Sequence, residues 1–135
     1  GTFQNINVPP TLIAFGITTL DASKAISPEF KAVKYLKKFS TDDPILEPLS
    51  IGLLGDAYCE LQEYSKAVAK YQKAADKADS EQMSPYFLKK AGLVFEEMGK
   101  FDEAVKMYTK IKEDYSGSSE AGSIDKYITR ANLRK

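Results

Sequence analysis

The sequence has no histidine and a single cysteine. Without His it lacks the commonest metal ligand and the usual base of a Ser or Cys triad. One thiol, Cys59, rules out an internal disulfide framework and a Cys-rich zinc site. There is no surplus of charge either. Nineteen Lys and Arg balance nineteen Asp and Glu, so no global field draws the chain to nucleic acid or to an anionic membrane. No Walker loop, dinucleotide glycine pattern or EF-hand loop occurs. Residues 1–20 carry no charged side chain, but their apolar stretch, Thr11 to Leu20, follows Pro9-Pro10 and is too short to span a bilayer. It also lacks the basic flank of a signal peptide. The first residue is Gly, not Met, which reads as a sign of a processed or partial chain. With 135 residues, 43% of them apolar and 28% charged, the composition is that of one ordered globular domain.

What is present is an internal repeat. A shift of 37 positions lays Pro48 on Pro85, Gly55 on Gly92, Glu60 on Glu97, Ala67-Val68 on Ala104-Val105, Tyr71 on Tyr108 and Lys73 on Lys110. Near-matches join them: Ile51 with Leu88, Tyr58 with Phe95, Leu61 with Met98, Tyr64 with Phe101. Within each unit, Tyr64, Ala67, Val68, Tyr71, Ala74, Ala75 and Ala78 fall on one face of a helix, as do Phe101, Ala104, Val105, Tyr108 and Ile111. The segments Pro48–Leu61 and Pro85–Met98 read as partner helices. Ser84 is expected to cap the second of these, Gly99 to end it in the left-handed conformation, and Ser65 and Asp102 to cap the helices that follow. Short connections make each pair antiparallel. Ser27-Pro28 opens a similar helix with Ala32, Val33, Leu36 and Phe39 buried, its partner falling within Thr11–Ala25. Ser119 is expected to cap a last helix that buries Ile124, Tyr127, Ile128 and Ala131 and ends in solvated Arg134 and Lys135.

Such hairpins hide their apolar faces only by stacking. The small residues are expected where paired helices approach most closely, Gly55 against Ala67 and Gly92 against Ala104. Tyr58, Tyr71, Phe95 and Tyr108 are expected to fill the space between hairpins. The fold class is therefore all-α, with an atypical first repeat over 1–47, repeats over 48–84 and 85–117, and a capping helix over 118–135.

This arrangement resembles the tetratricopeptide-repeat family. The residues that carry the resemblance are Ile51-x₂-Leu54-Gly55-x₂-Tyr58 with Ala67-x₃-Tyr71, and Leu88-x₂-Ala91-Gly92-x₂-Phe95 with Ala104-x₃-Tyr108. The family pattern has Trp where Ile51 and Leu88 stand, and often Pro where Asp79 and Ser116 stand. The resemblance implies a right-handed superhelix whose concave groove, lined by the first helix of each hairpin, accepts a peptide or partner segment. Mapped onto this chain, the groove residues are Leu49, Gly52, Asp56, Cys59 and Glu60, then Tyr86, Lys89, Lys90, Leu93, Glu96 and Glu97. Leu49, Tyr86 and Leu93 would grip apolar side chains, and Lys89 and Lys90 would meet a carboxylate. The family variant that clamps a chaperone's C-terminal carboxylate needs Lys and Asn where Gly52 and Asp56 stand, so capture of that kind is rejected. Tyr115–Ala121 also resembles the Tyr-Pro-x-Ser-x-x-Ala join of bacterial cell-envelope members, without its Pro. That points to the periplasmic side of an envelope, with the cytoplasm as the alternative.

Catalysis is not expected. Asp42-Asp43, Glu96-Glu97, Asp102-Glu103 and Glu113-Asp114 are adjacent pairs, which diverge by about 100° on a helix and do not converge on one site. Cys59 has no His to activate it. Lys34, Lys37, Lys38, Lys66, Lys70, Lys73 and Lys77 form a lysine-rich outer face interleaved with acids, a solvated surface and not a nucleic-acid site. The expected function is a non-catalytic scaffold or adaptor, without cofactor or metal, that holds a protein segment at roughly micromolar affinity. The alternative is a self-associating structural subunit of a bacterial cell-envelope assembly, a homodimer formed through the apolar N-terminal segment.

Overall fold

The structure, a computed structural model, describes residues 28–135. Six helices follow one another: α1 (Pro28–Lys38), α2 (Leu46–Glu60), α3 (Tyr64–Ala78), α4 (Ser84–Glu97), α5 (Phe101–Asp114) and α6 (Ile124–Leu133), the last preceded by a 3₁₀ turn at Ala121–Ser123. Each packs mainly on its neighbours in sequence, so α2–α3 and α4–α5 are successive hairpins of an all-α helical repeat. The helix expected within Thr11–Ala25 and the N-terminal cap or dimer segment lie outside the described residues, as do the side chains of Glu29 and Phe30.

The helical stripes become the core. Ala67, Ala74, Ala104, Tyr108 and Ile111 are fully buried, and Val68, Tyr71 and Ala75 nearly so. From the inner helices come Leu54, Ala57 and Tyr58, then Phe87, Leu88, Ala91, Val94 and Phe95. On α1, Val33 is buried, and Ala32 and Leu36 pack against the core. Phe39 is not in the stripe as expected: α1 ends at Lys38, and Phe39 is half exposed beyond it.

The glycines fit a different partner from the one expected. The atoms nearest a β-carbon at Gly55 belong to the Tyr71 ring, the closest at 2.8 Å, and a β-carbon at Gly92 would overlap the Tyr108 ring. Each glycine therefore notches its helix for the tyrosine of its own hairpin. Tyr71 and Tyr108 lie inside their hairpins first. They then reach the next helix, where Tyr108 stacks at a tilt on Tyr127 with ring centroids 5.7 Å apart.

The helix ends also differ from expectation. Ser84 is the first residue of α4 and does not cap it. Its buried hydroxyl donates to the Ala75 carbonyl at 2.7 Å and accepts from the Ser80 N–H, which ties α4 to the last turn of α3. Ser65 and Asp102 lie inside the first turns of α3 and α5 instead of capping them. Ser118, not Ser119, accepts the Ala121 N–H at 3.1 Å and starts the 3₁₀ turn. Asp43 accepts the N–H groups of Ile45 and Leu46, both at 2.9 Å. These backbone bonds hold its carboxyl below the ordinary value.

Gly99 does end α4 in the left-handed conformation, at φ +75. Its N–H donates to the Glu96 carbonyl and that of Lys100 to the Phe95 carbonyl, a Schellman closure. The preceding repeat closes in the same way, with Gln62 to Cys59 and Glu63 to Tyr58, yet Gln62 occupies the left-handed position at φ 59. A β-carbon there carries a penalty of about 1–2 kcal/mol, partly offset by the extra freedom glycine brings to the unfolded chain. Gln62→Gly is therefore expected to stabilise the fold by about 0.5–1 kcal/mol, seen as a higher urea midpoint at unchanged slope.

Finally, α6 buries Ile124 and Ala131 completely, with Tyr127 and Ile128 half-buried against the core. Its end is not simply solvated. Arg134 reaches Glu96 at 3.8 Å and covers the Phe101 ring, and Lys135 pairs with Asp102 at 2.8 Å. Among the described residues, no helix is long and apolar enough to cross a membrane.

Candidate partner-binding face

Helical geometry sets positions i, i+4, i+7 and i+11 on one line. On α2 that line is Leu49, Leu53, Asp56 and Glu60; on α4, 37 residues later, it is Tyr86, Lys90, Leu93 and Glu97. Leu49, Leu53, Tyr86 and Leu93 are each 41 to 47% exposed, although most other apolar side chains of both helices are buried. Leu46 extends the first row by one turn and is also exposed. The sequence expectation missed Leu53 and Leu46. The repeat offset that pairs Leu53 with Lys90 is the signal that could have found Leu53.

Not all the expected groove residues are open. Gly52 is buried, and a β-carbon there would overlap the Phe87 ring, so its role is to let α2 and α4 approach. Glu96 is 5% exposed. It accepts the Tyr108 hydroxyl at 2.5 Å and the Arg130 guanidinium at 2.6 and 3.0 Å. Burial raises its pKa, but the hydrogen bonds from Arg130 and Tyr108 outweigh it and hold the carboxyl below the ordinary range.

Asp56 is half-buried and has the same role in the preceding hairpin. It accepts the Tyr71 hydroxyl at 2.5 Å and the Lys90 ammonium at 2.8 Å. Each hairpin therefore carries a phenol, a carboxylate and a cation in a chain, and the cation comes from the next inner helix: Lys90 of α4, then Arg130 of α6. Burial, then the bond to the carboxylate, pushes both phenols far above their ordinary values. Burial works against the Lys90 charge, yet the bond to Asp56 and the nearby Tyr86 prevail and raise its pKa. These phenol contacts were missed at the sequence level because the tyrosines read as space-fillers.

Lys89 lies over the Tyr127 ring at 4.6 Å, so it too has a partner within the fold. Glu60 and Glu97 stand at the C-terminal ends of α2 and α4, in no ion pair among the described residues. Cys59, beside them, is half-buried. Burial, then Glu60 and Asp56, pushes its thiol up, which disfavours a thiolate nucleophile. After burial, Glu97 and Glu60 also raise the Tyr64 phenol. Among the described residues no cluster of His, Cys, Asp or Glu has metal-ligand geometry.

The face is thus two rows in which exposed apolar side chains flank the paired Asp56 and Lys90 and a glutamate closes each C-terminal end, on a floor whose buried polar groups are satisfied. Residues 52–113 match a family model described as YpiA-like, C-terminal tetratricopeptide repeats. No curated protein and no solved structure matches the chain. The matched span runs from the second turn of α2 to the last turn of α5, so it is the two notched hairpins that carry the tetratricopeptide repeats.

Proposed function

We propose that the chain is a scaffold or adaptor that holds a peptide or partner segment against the rows of α2 and α4. Tetratricopeptide repeats typically mediate protein–protein interaction and are typically non-catalytic. The observation that carries the reading is the set of apolar side chains, Leu49, Leu53, Tyr86 and Leu93, left exposed along corresponding lines of neighbouring helices. A monomeric fold gains nothing from that exposure, whereas a guest that covers them removes apolar surface from water. The host helices are already ordered, so most of the conformational entropy lost is the guest's. A surface of two rows fits an affinity of roughly micromolar order.

The test is Tyr86→Ala combined with Leu93→Ala. Peptides selected from a random display library on the wild-type chain are expected to bind the double variant at least about tenfold more weakly, since central aromatic and aliphatic anchors dominate such interfaces. Far-UV circular dichroism should not change, because both side chains project outward. Unchanged affinity would place the binding elsewhere.

A second reading, self-association as a structural subunit of a cell-envelope assembly, draws on Tyr35, Phe39 and Ile45, which expose apolar surface at the α1 end. Light scattering separates the two, because a monomer leaves only the first.

A further inference from the structure

We infer that the guest of this face is cationic: a segment that carries lysine or arginine beside its apolar side chains and seats those basic groups over Glu60 and Glu97. The inference rests on the binding reading above and adds the charge of the partner to it.

The sequence alone suggested the opposite sign, with Lys89 and Lys90 waiting for a carboxylate. The structure engages both elsewhere. Lys90 is held by Asp56 at 2.8 Å, and Lys89 lies on Tyr127. What remains unneutralised on the two rows, among the described residues, is Glu60 and Glu97, repeat equivalents on neighbouring helices.

Their position is unfavourable for stability. The C-terminal end of a helix carries partial negative charge and favours a cation in its last turn. The outer helices α3 and α5 follow this rule with Lys77 and Lys112, and α6 follows it with Arg130. The inner helices α2 and α4 have no base in the last turn, and each ends on a glutamate. The exception is confined to the two helices that expose the apolar rows. Two carboxylates and two helix ends of the same sign therefore meet at one end of the face. A basic side chain or an N-terminal amine would neutralise them, and an acidic tail would be repelled.

Selection of random 12-residue displayed peptides tests this, run in parallel on the wild-type chain and on the Glu60→Gln, Glu97→Gln double variant. Wild type is expected to enrich peptides that combine Lys or Arg with Leu, Ile or Phe. A synthetic peptide from that pool should bind the double variant about tenfold more weakly. Its affinity for wild type should also fall as salt is raised. The thermal midpoint of the double variant should equal or exceed that of wild type, which separates loss of binding from loss of fold. A neutral or acidic wild-type pool, or equal affinity for the double variant, overturns the charge assignment. If such peptides still lose affinity on Tyr86→Ala with Leu93→Ala, the binding reading survives without it. If nothing enriches above the background of that apolar variant, or if light scattering finds a wild-type dimer that Tyr86→Ala with Leu93→Ala turns into a monomer, both fall.

Discussion

Gly92→Ala is expected to destabilise the protein by about 2 kcal/mol, even though alanine is the better helix former. Two effects compete. Inside a helix, Gly→Ala gains about 1 kcal/mol from propensity and backbone entropy. Against it stands the ring of Tyr108, which a β-carbon at position 92 would overlap. That ring cannot swing clear. It is fully buried, its hydroxyl is bound to Glu96, and Tyr127 stands on it at 5.7 Å. Overpacking of this kind typically costs about 1–3 kcal/mol; here the depth of the overlap and the fixed ring put the steric penalty at or above the top of that range. The same substitution elsewhere supplies the controls. At Gly55 the nearest ring atom is 2.8 Å away, a shallower conflict, so the loss should be smaller. At Gly122 nothing lies within 4 Å, so alanine should be neutral or mildly stabilising. Urea midpoints are expected to fall in the order Gly122→Ala, Gly55→Ala, Gly92→Ala. A Gly92→Ala midpoint at or above that of wild type would refute the notch.

Glu96→Ala is expected to be as damaging, by about 2–3 kcal/mol. Removing one member of a buried pair commonly costs about 3–5 kcal/mol because the other is left uncompensated. The lower figure applies because Arg130, 48% exposed, can turn toward water. The Tyr108 hydroxyl cannot, and it loses the carboxylate that accepts its proton. Acidification probes the same contact in wild type. The Glu96 carboxyl is held below its unfolded value near 4.5, so its contribution is fully present above that pH. It is lost as the pH falls through the depressed folded value. Glu96→Gln, which keeps the shape without the charge, should flatten the decline of stability with falling pH below about 4.5. A wild-type decline matched in full by the Gln variant would remove Glu96 from the account.

Much of this fold was legible in the sequence. The spacing of Ala67, Tyr71, Ala104 and Tyr108 gives helical stripes that tertiary structure leaves intact. Gly99 follows from the need for a left-handed residue at a Schellman closure. What was not legible depends on which side chains meet across the stack. Asp56 finds Lys90, and Glu96 finds Arg130, each 34 residues away. Such choices depend on the rotation of one inner helix against the next, which periodicity does not fix. Gly52 shows the same limit: its place on the helix suggested a surface position, but Phe87 from the next hairpin covers it. Ser84 read as a local cap from its neighbour Pro85, and no pattern within α4 indicates that its hydroxyl belongs to Ala75 in the helix before.

That last contact has a mechanical meaning. The bond from Ser84 to the Ala75 carbonyl bridges the joint between the two hairpins, and the adjoining Ser80 bonds brace the short linker around it. A swivel at this joint would slide one row of anchors past the other and change the distance between them. Tied in this way, the joint makes the two rows a ruler of set graduation, and on the proposed reading a visiting segment would have to match its spacing.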